Sequence, residues 1–177
     1  DARGIDAGEV AARMLAELER HRIDLIVLAG WLQLVPAEVV RRFEGRMLNI
    51  HPALLPGFGG RGMYGMRVHR AVIESGARVS GATVHLVSDR YDEGRIVAQW
   101  PVPVLPGDTP EALAARVLAV EHRILPLAVE AVARGDEAIA SITGPVCFDL
   151  LDAPAPPDPS IRATMAGVTT EAAAPSK

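Results

Sequence analysis

Cysteine is almost absent from this sequence: Cys147 stands alone among 177 residues. No disulfide can form within the chain, and this usage fits a reducing, cytoplasmic setting. Aromatic residues are also scarce, at 4%, so a core has to be built from Val, Leu, Ile, Ala and Met. No apolar run approaches the roughly 18 residues that a membrane-spanning helix needs. Charges interrupt the start too often for a signal peptide. A dense basic cluster is missing as well, and the formal charge is -4. Nucleic acid and membrane are therefore disfavoured as partners, because phosphate binding leaves a basic footprint. What remains is a chain 49% hydrophobic and 23% charged, of a length that suits one domain with a substantial core.

Strand and helix patterns alternate along it. Asp6 is placed to cap a helix on which Val10, Met14, Leu15 and Leu18 recur at helical spacing. Asp24 to Gly30 is a short, continuous apolar run, which reads as a strand buried on both faces in a parallel sheet. Pro36 suits the first turn of a helix bearing Val39, Val40 and Phe43. Gly45 ends that helix, and Arg46 to Ile50 is the next strand. This strand, helix, strand unit predicts an α/β fold. A glycine-rich loop spans Pro56 to Gly65, and Met66 to Glu74 reads as a helix followed by Gly76. Gly81 to Val87 reads as a strand and Arg95 to Val104 as one or two more, with the polar stretch Asp89 to Gly94 turning between them. Thr109-Pro110 opens a long helix with Leu113, Val117, Val120 and Ile124 on one face. Pro126 is expected to kink it before it resumes to Ala133, with Gly135 closing it. Four prolines lie between Ala153 and Pro159, so residues 145–177 are expected to form a poorly ordered tail behind a domain over residues 1–144.

Alternate residues of a strand face one way, so Asn49 and His51 project together from the end of theirs, where open α/β sheets place their ligands. An amide donor beside a side chain that titrates near neutrality is suited to holding an oxyanion and moving a proton. Taken alone, Asn-x-His is a common tripeptide, and a lone histidine is more often structural. Asp92, on a turn after a strand, adds a carboxylate that can reach His51; such a pairing is expected to raise the histidine pKa and favour its charged form. His85 on an apolar strand reads as a satisfied core histidine, and His21, His69 and His122 as structural or surface groups. A metal centre would draw on His51, His69, His85 and Asp92, but no metal-ligand spacing such as H-E-x-x-H occurs, and no metal is expected.

Four ordered pieces carry a resemblance: Leu48-Asn49-Ile50-His51-Pro52-Ala53-Leu54-Leu55-Pro56; Gly81-Ala82-Thr83-Val84-His85; Asp89-x-x-Asp92-x-Gly94; and Arg116-Val117-x-x-x-Glu121-His122-x-x-x-Pro126. From the helix before Asp24 to about Gly135, the chain resembles the folate-dependent formyltransferases. The first three pieces recur across that group, methionyl-tRNA formyltransferase and formyltetrahydrofolate deformylase included. The fourth is similar to the phosphoribosylglycinamide formyltransferases. The resemblance implies a Rossmann-like formyltransferase fold, with a mostly parallel central sheet and flanking helices. It implies transfer of a formyl group from 10-formyltetrahydrofolate, as cosubstrate, to the amine of glycinamide ribonucleotide in purine synthesis. Asn49, His51 and Asp92 would be catalytic, with Asn49 and charged His51 stabilising the formyl oxygen. Folate would be held by Leu32, Gln33, Leu34 and Val35, just after Trp31, and across the pocket by Asn49, Ser88, Asp89, Arg90, Tyr91 and Asp92. Leu118 and Glu121 would meet the ribonucleotide, and Leu55-Pro56 would be a cis peptide.

The chain also departs from that pattern. Gln33 stands where many members have Arg, and the loop from Pro56 to Gly65 is longer than in many. Members begin with a strand and a glycine- and serine-rich loop that cradles phosphate at a helix N-terminus. No such loop precedes Asp6. The N-terminal strands are therefore expected to be missing, an exposed sheet edge is expected in their place, and the natural product is expected to be longer. Two other functions fit the same residues: a formyltetrahydrofolate hydrolase, and a non-catalytic folate-binding module.

Overall fold

The computed structural model describes residues 6–134 and the backbone of residues 146–147. Its elements are α1 Ala7–Arg20, β1 Ile26–Leu28, α2 Ala37–Arg42, β2 Met47–His51, α3 Met66–Glu74, β3 Val79–Leu86, β4 Ile96–Pro103, α4 Pro110–Ala133 and β5 Val146–Cys147. The Asp6 carboxylate caps α1 by accepting from the N–H groups of Gly8 and Glu9 at 3.0 and 3.3 Å. Thr109 caps α4 in the same way through Ala112, and Pro110 occupies its first turn. Pro36 lies at the cap of α2 rather than inside it.

The sheet runs β1-β2-β3-β4-β5. Pairs β1/β2 and β4/β5 are parallel, while β2/β3 and β3/β4 are antiparallel. The α/β, Rossmann-like architecture is present, but the sheet expected to be mostly parallel is mixed. For β3 and β4 the reason lies in the connection. Only a short polar turn separates β3 from β4, and a connection that short can only reverse the chain, whereas parallel neighbours need a crossover. Arg95 to Val104 yields one strand, β4.

β1 also differs from expectation. The apolar run predicted to be buried on both faces forms a three-residue strand that, among the described residues, pairs with β2 alone, and Val27 is 39% exposed. α4 continues through Pro126 without an interruption of its helical span. Gly135, the boundary at Gly144 and the tail fall outside the described residues, apart from the backbone of β5.

Two apolar clusters flank the sheet. Leu48 and Ile50 of β2 join Ala82, Val84, Trp100 and the buried side of α4. Met47 points the other way and packs with Ala11, Val35, Val39, Val40 and Phe43 under α1 and α2. By the alternation of a strand, the face that buries Met47 continues into Asn49 and His51. It turns polar just where β2 ends. Among the described residues, no helix is long and apolar enough to cross a membrane.

Candidate active site

A cavity of about 690 Å³ opens beside the ends of β1 and β2. The loop after β1, the loop from β2 into α3, the turn after β3 and one side of α4 form its walls. Every residue expected at the site lines it except Asp89, which is exposed. Trp31 and Leu32 are not core residues: they are 45% and 60% exposed and present apolar surface to the cavity. Val35, at the end of the same loop, is buried.

The strand register sets the polar end of the cavity. Asn49 pairs with His85, and His51 with Thr83, so the alternate residues of two antiparallel strands share one face. The Nδ1–H of His85 donates to the Leu86 carbonyl at 2.9 Å. In the neutral ring this assignment leaves Nε2 as the acceptor for the Asn49 amide, 3.1 Å away. The second amide hydrogen of Asn49 is left for a ligand. The Nε2–H of His51 donates to the Phe58 carbonyl at 2.8 Å, and its Nδ1 lies 3.5 Å from Asp92 Oδ2. Asp92 Oδ1 lies 3.6 Å from His85 Nε2, and the Gly60 N–H donates to Asp92 Oδ2 at 2.9 Å. Asp92 therefore bridges two histidines from a left-handed backbone, with φ of 57°, a conformation Asp tolerates better than most residues.

The charge states differ from expectation at one point. His51 is 3% exposed, and burial lowers its pKa. Asp92 and the Phe58 carbonyl act in the opposite direction, and His85 adds to the lowering. The predicted rise is overturned because loss of water outweighs one carboxylate at 3.5 Å. Burial would raise the Asp92 carboxyl. Its contact with His85, the hydrogen bond from the Gly60 N–H and the electrostatic influence of the two neighbouring imidazoles bring it below its ordinary value instead. At Glu121 burial wins and raises the pKa, with His122 opposing.

Several groups at the site carried no clear sequence signal. Phe58 and Gly60 act through the main chain, where residue type says little. Thr83 Oγ1 donates to the Ala53 carbonyl at 2.6 Å and accepts from the Leu55 N–H and Gln99 Nε2, each at 3.0 Å. This network holds the loop that contains the cis Leu55-Pro56 bond. The signal that could have marked Thr83 and His85 is that they are polar residues two apart on an apolar strand. Gly94 has a steric reason: a Cβ there would fall 1.6 Å from the Leu86 carbonyl oxygen that orients His85. Among the described residues, no group of His, Cys, Asp or Glu is arranged to hold a metal ion.

Comparison with known proteins shows the family and the fold. Residues 5–129 match the sequence model of a family described as formyl transferase. The chain is 57% identical over 107 residues to a chloroplastic phosphoribosylglycinamide formyltransferase of Arabidopsis thaliana, covering 60% of this chain and 37% of that protein. It is 36% identical over 135 residues to the phosphoribosylglycinamide formyltransferase of Escherichia coli (strain K12), covering 76% of this chain and 61% of that one. Among solved structures, glycinamide ribonucleotide transformylase 1 from Symbiobacterium toebii matches with a TM-score of 0.69 at 42% identity, over 76% of this chain and 61% of its own. The phosphoribosylglycinamide formyltransferase from Streptococcus pneumoniae TIGR4 matches with a TM-score of 0.66 at 34% identity, over 73% and 69%. The chain spans little more than a third of the length of the plant relatives, 37% and 36%.

Proposed function

The chain belongs to the formyl transferase family, and from that premise we propose that it carries the machinery for transferring a formyl group from 10-formyltetrahydrofolate to the amine of glycinamide ribonucleotide. The observation that carries this reading is the array of Asn49, His51, His85 and Asp92 at one end of a cavity whose other surfaces are largely apolar. An apolar wall at Trp31, Leu32 and Leu34 suits a flat heterocycle, and the turn from Ser88 to Asp92 closes the opposite side. Leu118 and Glu121 on α4 are the groups we assign to the ribonucleotide. The folate, as cosubstrate, supplies the formyl carbon.

Attack of the amine on that carbon forms one C–N bond and places negative charge on the formyl oxygen. His85 fixes the Asn49 amide so that its remaining N–H donates to this oxygen, a contact of roughly 3 kcal/mol in comparable sites. His51 rests neutral and takes the amine proton through Nδ1, directly or by way of one water. It becomes charged as the oxygen does, and the imidazolium then stabilises the oxyanion beside it. Asp92, already ionised, steadies that cation. When the bond to the folate nitrogen breaks, the same proton passes to that nitrogen. One C–N bond forms as another breaks, one proton passes from the amine to the folate nitrogen, and no oxidation state changes. The charged His51 anticipated from sequence thus becomes a transient rather than a resting state.

The single cysteine supports the cytoplasm as the compartment, in de novo purine synthesis. The test is to incubate the protein with 10-formyltetrahydrofolate, with and without glycinamide ribonucleotide, and follow both formyl products. Amine-dependent turnover is expected. Folate turnover indifferent to the amine would assign a hydrolase, and folate binding without turnover a non-catalytic module.

A further inference from the structure

Two main-chain groups touch the catalytic pair: the Phe58 carbonyl meets His51 and the Gly60 N–H meets Asp92. Phe58 has a φ of 55°, a left-handed conformation that an aromatic residue keeps only where its surroundings impose it. Its ring packs against the main apolar cluster, which anchors the side chain. The path of the backbone into Phe58 is set three residues earlier, at Leu55.

Leu55 is held on both sides. Its N–H donates to Thr83 Oγ1 at 3.0 Å, and its carbonyl accepts from Gln99 Nε2 at 2.9 Å. The other Nε2 hydrogen of Gln99 goes to Thr83 Oγ1, and the Thr83 hydroxyl gives its own proton to the Ala53 carbonyl. Thr83 thereby makes all three bonds that a hydroxyl can make. Strand register puts the parts in one row, because Thr83 pairs with His51 on β2 and with Gln99 on β4. Gln99 itself does not line the cavity.

A half-buried polar residue on a strand is ordinarily satisfied structure. Gln99 differs in what its loop decides at His51. A carbonyl only accepts, so the Phe58 contact requires a proton on Nε2 and leaves Nδ1 as a lone pair. The Asp92 carboxylate also only accepts, and it lies 3.5 Å from Nδ1. Two acceptors therefore compete for the one ring proton of neutral His51, and each favours a different tautomer. Only the tautomer chosen by Phe58 presents Nδ1 as a base.

We propose that Gln99 is a positioning residue for His51: with Thr83 it clamps Leu55, holds the Phe58 carbonyl against Nε2, and so keeps Nδ1 free to take a proton. It touches no substrate and acts through the loop. The use of Nδ1 in transfer rests on the formyl-transfer reading, whereas control of the tautomer does not.

Long-range proton–nitrogen correlation spectra of the whole chain, labelled at histidine, test this by reporting the tautomer of each neutral ring. The His51 signal is identified by its absence from His51→Gln. His85, whose proton the Leu86 carbonyl fixes on Nδ1, is the internal control. Wild type is expected to carry the His51 proton on Nε2. Gln99→Met keeps the length of the side chain and removes both hydrogen bonds; its His51 should shift to the Nδ1–H tautomer while His85 stays as it was. Single-turnover transfer at saturating substrates should fall about 10- to 100-fold, with folate and ribonucleotide affinities unchanged. Thr83→Val should act in the same way, and Thr83→Ser, which keeps the hydroxyl, should recover the wild-type tautomer and most of the rate. A Gln99→Met protein with the wild-type His51 tautomer would overturn the proposal whatever its rate, as would a wild type with the proton on Nδ1. A change at His85 in the same variant would overturn it too, since the effect would then be general. Tautomer control in a wild type that transfers no formyl group would keep the positioning role and sink the transfer reading.

Discussion

Burial and a neighbouring carboxylate act on His51 in opposite directions, and burial prevails. Its proton-accepting form is therefore the one present at neutral pH, and it is lost only as pH falls through a value below 6.5. If transfer uses that form, the single-turnover rate at saturating substrates should rise with pH through an inflection below 6.5 and then level off. A rate that falls across this range would instead identify a pre-charged imidazolium. Asp92 offers a cleaner substitution than His51. Asn is isosteric and also tolerates a left-handed backbone, so Asp92→Asn keeps the φ of 57° while removing the charge. We expect transfer to drop about a hundred- to ten-thousandfold, with folate affinity nearly unchanged by fluorescence titration. Loss of folate binding in step with rate would assign Asp92 to binding alone. At this scale the sequence was informative where side chains did the work. Asn49 and His51 share a face by strand period, and Asp92 sits on a polar turn. Phe58 and Gly60 contribute a carbonyl and an N–H, which no residue pattern announces, and the electrostatic balance at His51 depends on burial that spacing does not report.

Arg116 shows how a motif residue serves an element rather than a substrate. Its guanidinium meets both Asp108 carboxylate oxygens, at 2.7 and 2.9 Å, and also donates to the Pro103 carbonyl. Asp108 accepts in turn from the Leu105 N–H. The pair, with side chains 11% and 7% exposed, pins α4 to the end of β4 and so sets where Leu118 and Glu121 stand. Breaking such a pair leaves a buried charge, so Arg116→Ala should cost about 3–5 kcal/mol in urea denaturation. The bond from Arg116 lowers the Asp108 pKa. Its contribution is therefore complete above the unfolded carboxyl value and disappears as pH falls through the lower folded one. An Arg116→Met/Asp108→Asn double variant should show a flatter loss of stability in acid. An unchanged acid limb would place the stabilising contact elsewhere. Helices α1, α3 and α4 were legible because caps and apolar spacing act locally. Strand direction was not, since β1–β2 and β2–β3 are both joined through a helix and yet one pair is parallel and the other antiparallel, and neither was the edge position of β1, since an apolar run reads alike at the centre and at the rim of a sheet.

That rim has a consequence for the molecule as a whole. β1 is the outer strand of the described sheet, and Ile23 just before it and Val27 within it are 38% and 39% exposed. An edge of this kind leaves backbone donors and acceptors unpaired next to apolar side chains, which is a template for pairing with another chain. A formal charge of -4 spread over the surface opposes association only weakly at physiological salt, where screening acts over about 8 Å. The chain should therefore self-associate as its concentration rises, and sedimentation velocity across a dilution series should show it. Val27→Lys places a charge on the exposed position without entering the cavity, whose wall takes Leu28 rather than Val27. It should shift the protein toward monomer while leaving folate affinity as it was. A wild type that stays monomeric throughout, or association that Val27→Lys leaves intact, would show that the β1 edge is shielded by some other means. If the variant also weakened folate binding, the edge and the cavity would be mechanically linked through the loop from Gly30 to Val35, which connects β1 to the apolar wall at Trp31.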